Sequence, residues 1–243
     1  MTTLAKNLAE GLDVHFNSKV VHLEKGPDGG WLIGSNPLIF GEKSFKTVVL
    51  TCPLPQSLEL LTASKIAFDP SLAEIRYAKA LVGLFEGVRS SGDWLGRQGF
   101  VESPGNGKVA SVSDQMAKGV SPVPAWTVTM GPGFSESFFQ AEDAVVLEAI
   151  AGEICESDPH FSFQASQLKR WRFSHPLAIY PRPFIEVADG LILAGDAFGG
   201  PSLNGAMLSA NAVLEALQKR YRTSEKTEDA SRRRPKKLSS FPR

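Results

Sequence analysis

LILAGDAFGGPSLNGAMLSANAVLEAL, residues 191–217, is the stretch that decides how this chain is read. An apolar, strand-like run stops at Gly195-Asp196, a glycine-rich loop follows, and a helix opens near Asn204-Gly205-Ala206. Residues 191–194 have the continuous apolar character of a parallel strand buried on both faces. Asp196 then falls at the strand's carboxyl end, where open α/β sheets place their ligands. A carboxylate there can accept hydrogen bonds from a ribityl or ribose hydroxyl. Gly199, Gly200 and Gly205 would let a ligand approach the backbone. The helix start presents free N–H groups and about half a positive charge, which favours anions, including the charge that develops near N1 of a reduced flavin. Ala206, Ser209 and Ala210 would keep the helix slim against such a ligand. Spacing alone leaves a second option open: a strand-end turn with a helix packed for its own sake.

Working outward, the chain has 243 residues and 42% hydrophobic content, enough for one large core or two small ones. Its formal net charge of zero argues against a nucleic-acid binder. Cys52 and Cys155 stand alone, and the four histidines show no metal-ligand spacing, so neither a disulfide framework nor a metal site is expected. No apolar run approaches the ~20 residues that cross a bilayer. The first residues lack the basic start and apolar block of a signal peptide. These features read as a cytoplasmic protein with no membrane or nucleic-acid partner; its oligomeric state is left open.

Towards the N-terminus, Leu4, Leu8 and Leu12 recur at helical spacing and predict a helix ending near Gly11. LDVHF and KVVHLEKG read as strands, and Gly26-Pro27-Asp28-Gly29-Gly30 as a hairpin turn returning in WLIGS. FKTVVLTC reads as one buried strand stopped by Pro53, with a short helix after it. The middle is strand-rich: residues 76–88, GFVES, KVASVSD, AWTVTMGP and SQLKRWRFSHP. It carries one amphipathic helix, with Val145, Val146, Ala149 and Ile150 on its apolar face. After Tyr221 the chain turns polar, predicting a disordered tail over 222–243, where residues 232–237 form a basic run that reads as a nuclear address, an acid-binding patch or simply solvated chain.

Residues 191–217 resemble the C-terminal FAD-binding motif of the flavin amine oxidase superfamily, and within it the renalase family. Residues 1–33 resemble that family's helix and hairpin, whose valine, here Val20, reaches the adenine. FKTVVLTCPLPQSLELL looks like the strand and turn returning to the flavin domain. IRYAKALVGLFEG is similar to the first long strand of the substrate domain, and LKRWRFSHP to its Trp-Arg strand. Together these cover residues 1–220 in the family's order.

The resemblance implies an α/β (mixed α+β) fold. Residues 1–62 and 172–221 would form a partial FAD/NAD(P)-binding Rossmann-like domain, with residues 63–171 as an inserted β-rich substrate domain. The implied cofactor is FAD, contacted by Val20, Gly195, Asp196, Ala197, Phe198, Asn204, Gly205 and Ala206. Asp196 would serve the ribityl or phosphate region, and the amides of 204–206 the pyrimidine end. Trp171, Arg172 and Tyr180 are assigned to a small-molecule substrate, although a core tryptophan and a surface arginine are equally ordinary on one strand. No catalytic side chain is assigned, because hydride transfer to a flavin relies on positioning and electrostatics. The implied reaction is oxidation of an off-pathway isomer of a reduced nicotinamide dinucleotide, with dioxygen accepting the electrons. The alternatives are a non-catalytic remnant that at most binds a partner, and an amine oxidase. The latter lacks a clear tyrosine pair for an aromatic cage, since the tyrosines are Tyr77, Tyr180 and Tyr221.

One departure is large. Such proteins carry G-x-G-x-x-G between a strand and a helix, holding the pyrophosphate. The relaxed match at Gly105-Asn106-Gly107-Lys108-Val109-Ala110 lacks both flanking elements and reads as a hairpin turn. The sequence is expected to begin part-way through the flavin domain, about a hundred residues in. The exposed sheet edge this leaves would invite a partner, and FAD binding is expected to be weak.

Overall fold

The computed structural model describes residues 2–91, 95, 96, 98–103 and 107–232. Residues 105 and 106 of the relaxed glycine motif and residues 233–237 of the basic run lie outside the described residues. The described residues have mixed α/β structure with three sheets. It divides into two compact units, residues 1–75 with 179–243, and residues 76–178.

In the first unit, α1 (Thr2–Leu8) leads to an antiparallel sheet of β1 (Lys19–Lys25), β2 (Trp31–Asn36) and β3 (Ser44–Phe45). Chain reversal between β1 and β2 needs Gly29 at φ +78°, and Asp28 locks the turn by accepting from Gly30 N–H at 3.0 Å and Ser44 Oγ at 2.9 Å. A second sheet has the order β10 (Ile185–Ala188), β11 (Leu191–Leu193), β4 (Val48–Leu50). β11 runs parallel to β4, with Ile192 opposite Val49. All three β11 residues are buried, and Ile192 packs with Ala194 and Val213. After β4, Pro53 opens α2 (Leu54–Ala63), whose Leu54, Leu58 and Leu61 are buried. A four-residue helical turn, α5 (Asp196–Gly199), and the long α6 (Leu203–Arg232) follow β11.

Several expectations are corrected here. FKTVVLTC is not one strand: Phe45 pairs with Trp31 in the first sheet, whereas 48–50 pair with β11 in the second. Composition cannot see this division, because both halves are apolar and β-branched. LDVHF forms no strand, and Leu12, Val14 and Phe16 are exposed. The tail is helical to Arg232 rather than disordered from 222. Glu, Lys, Arg and Ala carry the helix past the last large apolar residue, and no Gly or Pro intervenes before Pro235.

The second unit is an antiparallel sheet with the order β6 (Phe100–Glu102), β7 (Val109–Asp114), β8 (Ala125–Met130), β5 (Tyr77–Glu86), β9 (Ala165–Pro176). Helices α3 (Pro132–Phe138) and α4 (Asp143–Ser157) join β8 to β9. The core sets Leu81, Phe85, Trp126, Val128 and Met130 against Val146, Ile150 and Ile154 of α4. Val146, Ile150 and the partly buried Ala149 of the expected stripe face this core and Ile154 extends it, whereas Val145 is half exposed. Tyr77 pairs with Pro176 and Glu86 with Ala165. A boundary at 171/172 would therefore cut β9 in two, and the units divide instead at 75/76 and 178/179. Among the described residues, no helix is long and apolar enough to cross a membrane.

The β10–β11 hairpin is tied to α6 by one ion pair. Both Glu186 carboxylate oxygens accept from Arg220, at 2.8 and 2.6 Å, and one also accepts the Gly190 N–H. The Arg220 hydrogen bonds, then the Gly190 amide, hold the Glu186 carboxyl below its ordinary range. A depressed carboxyl contributes stability above its unfolded pKa and loses it as pH falls through the folded value. Glu186→Gln is expected to cost about 1 kcal/mol at neutral pH. The gap to the wild type should shrink steadily as pH falls below 4.5, as read by urea unfolding over a pH series. A gap independent of pH would contradict this role.

Candidate functional site

The end of β11 is shaped by one buried hydroxyl. Ser209 Oγ accepts from Gly195 N–H at 2.9 Å and donates to Pro183 O at 2.6 Å, and Ser209 is fully buried. Gly195 sits at φ +125°, a region that suits glycine alone, and turns the chain sharply into α5. The amides of Phe198 and Gly199 then return to Gly195 O, and Gly200 N–H to Asp196 O.

The glycines of the loop serve the protein itself. A Cβ on Gly199 would stand 1.9 Å from Gly205 O, and one on Gly205 would stand 2.3 Å from Gly200 O. They let α5 and the start of α6 touch backbone to backbone, so the expectation that they clear space for a ligand is corrected. Two of the three helix amides expected to face a ligand are also used internally. Gly205 N–H donates to Ser202 Oγ at 3.2 Å, and Ala206 N–H to Ser202 O at 3.0 Å. Ser202 is thus the N-cap, which leaves the amides of Leu203 and Asn204 at the helix start.

The ligand-sized space lies beside this junction. A largely apolar hollow of about 580 Å³ is lined by Val49, Thr51, Ala194–Asp196, Ala206, Met207 and Ala210 among others. A second, of about 530 Å³, is lined by Val20, Val49, Thr51, Cys52 and Gln56 among others. The two share Val49 and Thr51, so both border the carboxyl end of β4, the first reaching Asp196 and the second Val20. β4 is the edge of its sheet. In the parallel pairing Val48 N–H bonds to Gly190 O and Ala194 N–H to Leu50 O, which directs the Val49 backbone to the open side.

Of the residues singled out in the sequence, Gly195, Asp196 and Ala206 line the first hollow and Val20 the second. Ala197 and Phe198 are buried, and Phe198 lies edge-on to Tyr180, so their side chains are packing groups. Tyr180 faces inward too. Its N–H bonds to Ala197 O, and the Asp69 carboxyl is held low by Ser71 first, with Tyr180 contributing. Ser209 faces the strand end rather than the hollow. Trp171 and Arg172 belong to the other unit, where both are exposed on β9. Trp171 stands opposite Ala80, the pairing is irregular from there to His175, and the Arg172 guanidinium lies 5.3 Å from the Phe173 ring centre. Sequence reasoning missed Val49, Thr51 and Met207. Thr51 could have been found, since it follows β4 just as Ala194-Gly195 follows β11, and strand ends of one parallel pair share a rim.

With this geometry in hand, comparisons with known proteins are informative. Residues 1–88 match the family described as flavin containing amine oxidoreductase. No curated protein matches the chain. Its fold is similar to that of a protein from Exiguobacterium sp. 255-15 described as a protoporphyrinogen oxidase, at TM-score 0.68 and 14% identity, covering 90% of this chain and 51% of that one. An oxidoreductase from Methanosarcina mazei is similar at TM-score 0.59 and 12% identity, covering 88% of this chain and 52% of that one. The chain thus spans about half the length of the solved structures it matches.

The backbone contact between α5 and α6 sets a test. Gly205→Ala forces a methyl into Gly200 O and is expected to cost about 2–3 kcal/mol in urea unfolding. Gly133→Ala, where nothing lies within 4 Å, should be neutral or slightly stabilising. Equal effects would show that the contact is loose.

Proposed function

We propose that the two hollows bordering β4, from Val20 to Asp196, together hold FAD and that the chain is part of a flavin-dependent oxidoreductase. The observation that carries this reading is the pair of hollows meeting at Val49 and Thr51, with Asp196 at one end. The family match over residues 1–88 supports it. The shape suits an elongated ligand: apolar walls for flat rings, and a carboxylate for a hydroxylated linker. Val20 would bound the adenine, Asp196 would accept from ribityl hydroxyls, and Ala206 and Ala210 would keep α6 thin against the isoalloxazine ring. The Leu203 and Asn204 amides, rather than those of Gly205 and Ala206, would supply the positive end of the helix. FAD, when bound, supplies hydride acceptance from a reduced substrate and electron transfer to dioxygen. The protein's share is to place the ring, exclude water with the apolar wall and fix the linker. The pyrophosphate would rest on a strand–glycine loop–helix unit beside the open edge of β4, outside this sequence. On the resemblance to renalases, the substrate is a reduced nicotinamide dinucleotide isomer.

A binding-only role is favoured by one observation, the inward use of the Gly205 and Ala206 amides. Anaerobic mixing of the flavin-loaded protein with reduced dinucleotide separates the two readings, because only an oxidoreductase bleaches the flavin. The FAD assignment itself is tested by equilibrium dialysis. Ala206→Phe fills the hollow and is expected to weaken FAD retention at least tenfold, a loss of about 1.4 kcal/mol. Equal retention by wild type and variant would overturn the placement.

A further inference from the structure

The unit of residues 76–178 has a hollow of its own, of about 420 Å³. It lies at the Glu86–Ala165 end of the β5–β9 pair, whereas the chain enters and leaves the unit near the Tyr77–Pro176 end. At about 3.3 Å per residue, those ends are roughly 30 Å apart. The hollow shares no lining residue with the proposed flavin site.

Its floor is a cross-strand row. Leu84 stands opposite Thr127 on one side and Gln167 on the other, and all three line the hollow. The wall is the connection from β7 to β8, which is held rigid. Asp114 Oδ1 accepts from Met116 and Ala117 N–H at 2.8 and 2.9 Å, Gln115 N–H bonds to Ala125 O at 2.7 Å, and Gln115 O accepts from Val120 at 2.8 Å. The Gln115 side chain is fixed as well. Its Nε2 donates to Thr127 Oγ1 at 3.0 Å and to Ser113 O at 3.4 Å. A backbone carbonyl can only accept, so the nitrogen must face it, and Oε1 is left as an acceptor. Thr127 Oγ1, already accepting from Gln115, keeps its proton to donate. An acceptor and a donor thus sit side by side above an apolar floor, with the Gln167 amide across from them.

We propose that this hollow binds a planar, uncharged ligand bearing a primary carboxamide. The amide N–H would meet Gln115 Oε1, its carbonyl would accept from Thr127, and its ring would lie on Leu84 and Val120. A carboxylate is refused, because it offers no donor to Gln115 and approaches Glu86 at the rim.

The probe is benzamide, titrated into the full chain by isothermal calorimetry and two-dimensional NMR. Saturable binding is expected, with shifts confined to residues 84–86, 115–127 and 165–167. Benzoate should bind at least tenfold more weakly. Thr127→Val, which keeps the shape of the strand residue, and Gln115→Met should each weaken benzamide at least tenfold, while Ala206→Phe leaves it unchanged. Should Gln115→Met disturb the connection, Thr127→Val decides alone. Absence of benzamide binding, equal binding of benzoate, or unchanged affinity in Thr127→Val would overturn the proposal.

Discussion

The buried hydroxyl of Ser209 joins three parts of the chain that are distant in sequence. By accepting from Gly195 and donating to Pro183 it fixes where β11 ends, where α6 crosses it and where the segment before β10 passes. Because the group is out of contact with water, each of its bonds is worth more than an exposed one would be, and losing either strands a buried partner. The sharp turn at Gly195 depends on it. So does the position of Asp196, which has to emerge at the rim of the hollow rather than within the helix packing.

Around that point the loop is built from compensating choices. Glycines at 199 and 205 give up conformational restraint in the unfolded chain, and in return α5 and α6 approach closer than side chains would allow. Ser202 caps the helix, so the close contact leaves the Gly205 amide satisfied. The outcome is a rigid corner whose outer surface is apolar, with one carboxylate at its lip. This corner stands beside β4, an edge strand among the described residues.

Much of this was legible in the residues. The turn at 26–30, the strand at 191–193, the strand-rich middle and its helix follow from glycine placement and from the period of the apolar residues. Asp196 was found by its place after a buried strand. What was not legible depended on partners distant in sequence. Nothing local says that Phe45 and Val48 join different sheets, or that LDVHF has no strand to pair with. β10 was missed because its four residues are only half buried and carry no strong pattern. The glycines were read as room for a ligand because sequence shows only that space is needed, not what fills it. Ser202 as a cap was available from its place just before the helix but was overlooked in favour of the glycines around it.

The central claim is that the Ser209 hydroxyl holds the strand end in place, and amide hydrogen exchange in Ser209→Ala reads it directly. The Gly195 amide is expected to exchange about a hundredfold faster than in the wild type, as fits the loss of a bond worth 1–3 kcal/mol. Amides of the five-stranded sheet should stay as protected as before. Unchanged protection at Gly195 would show that the corner stands without the hydroxyl, and the account of how Asp196 reaches the hollow would fail.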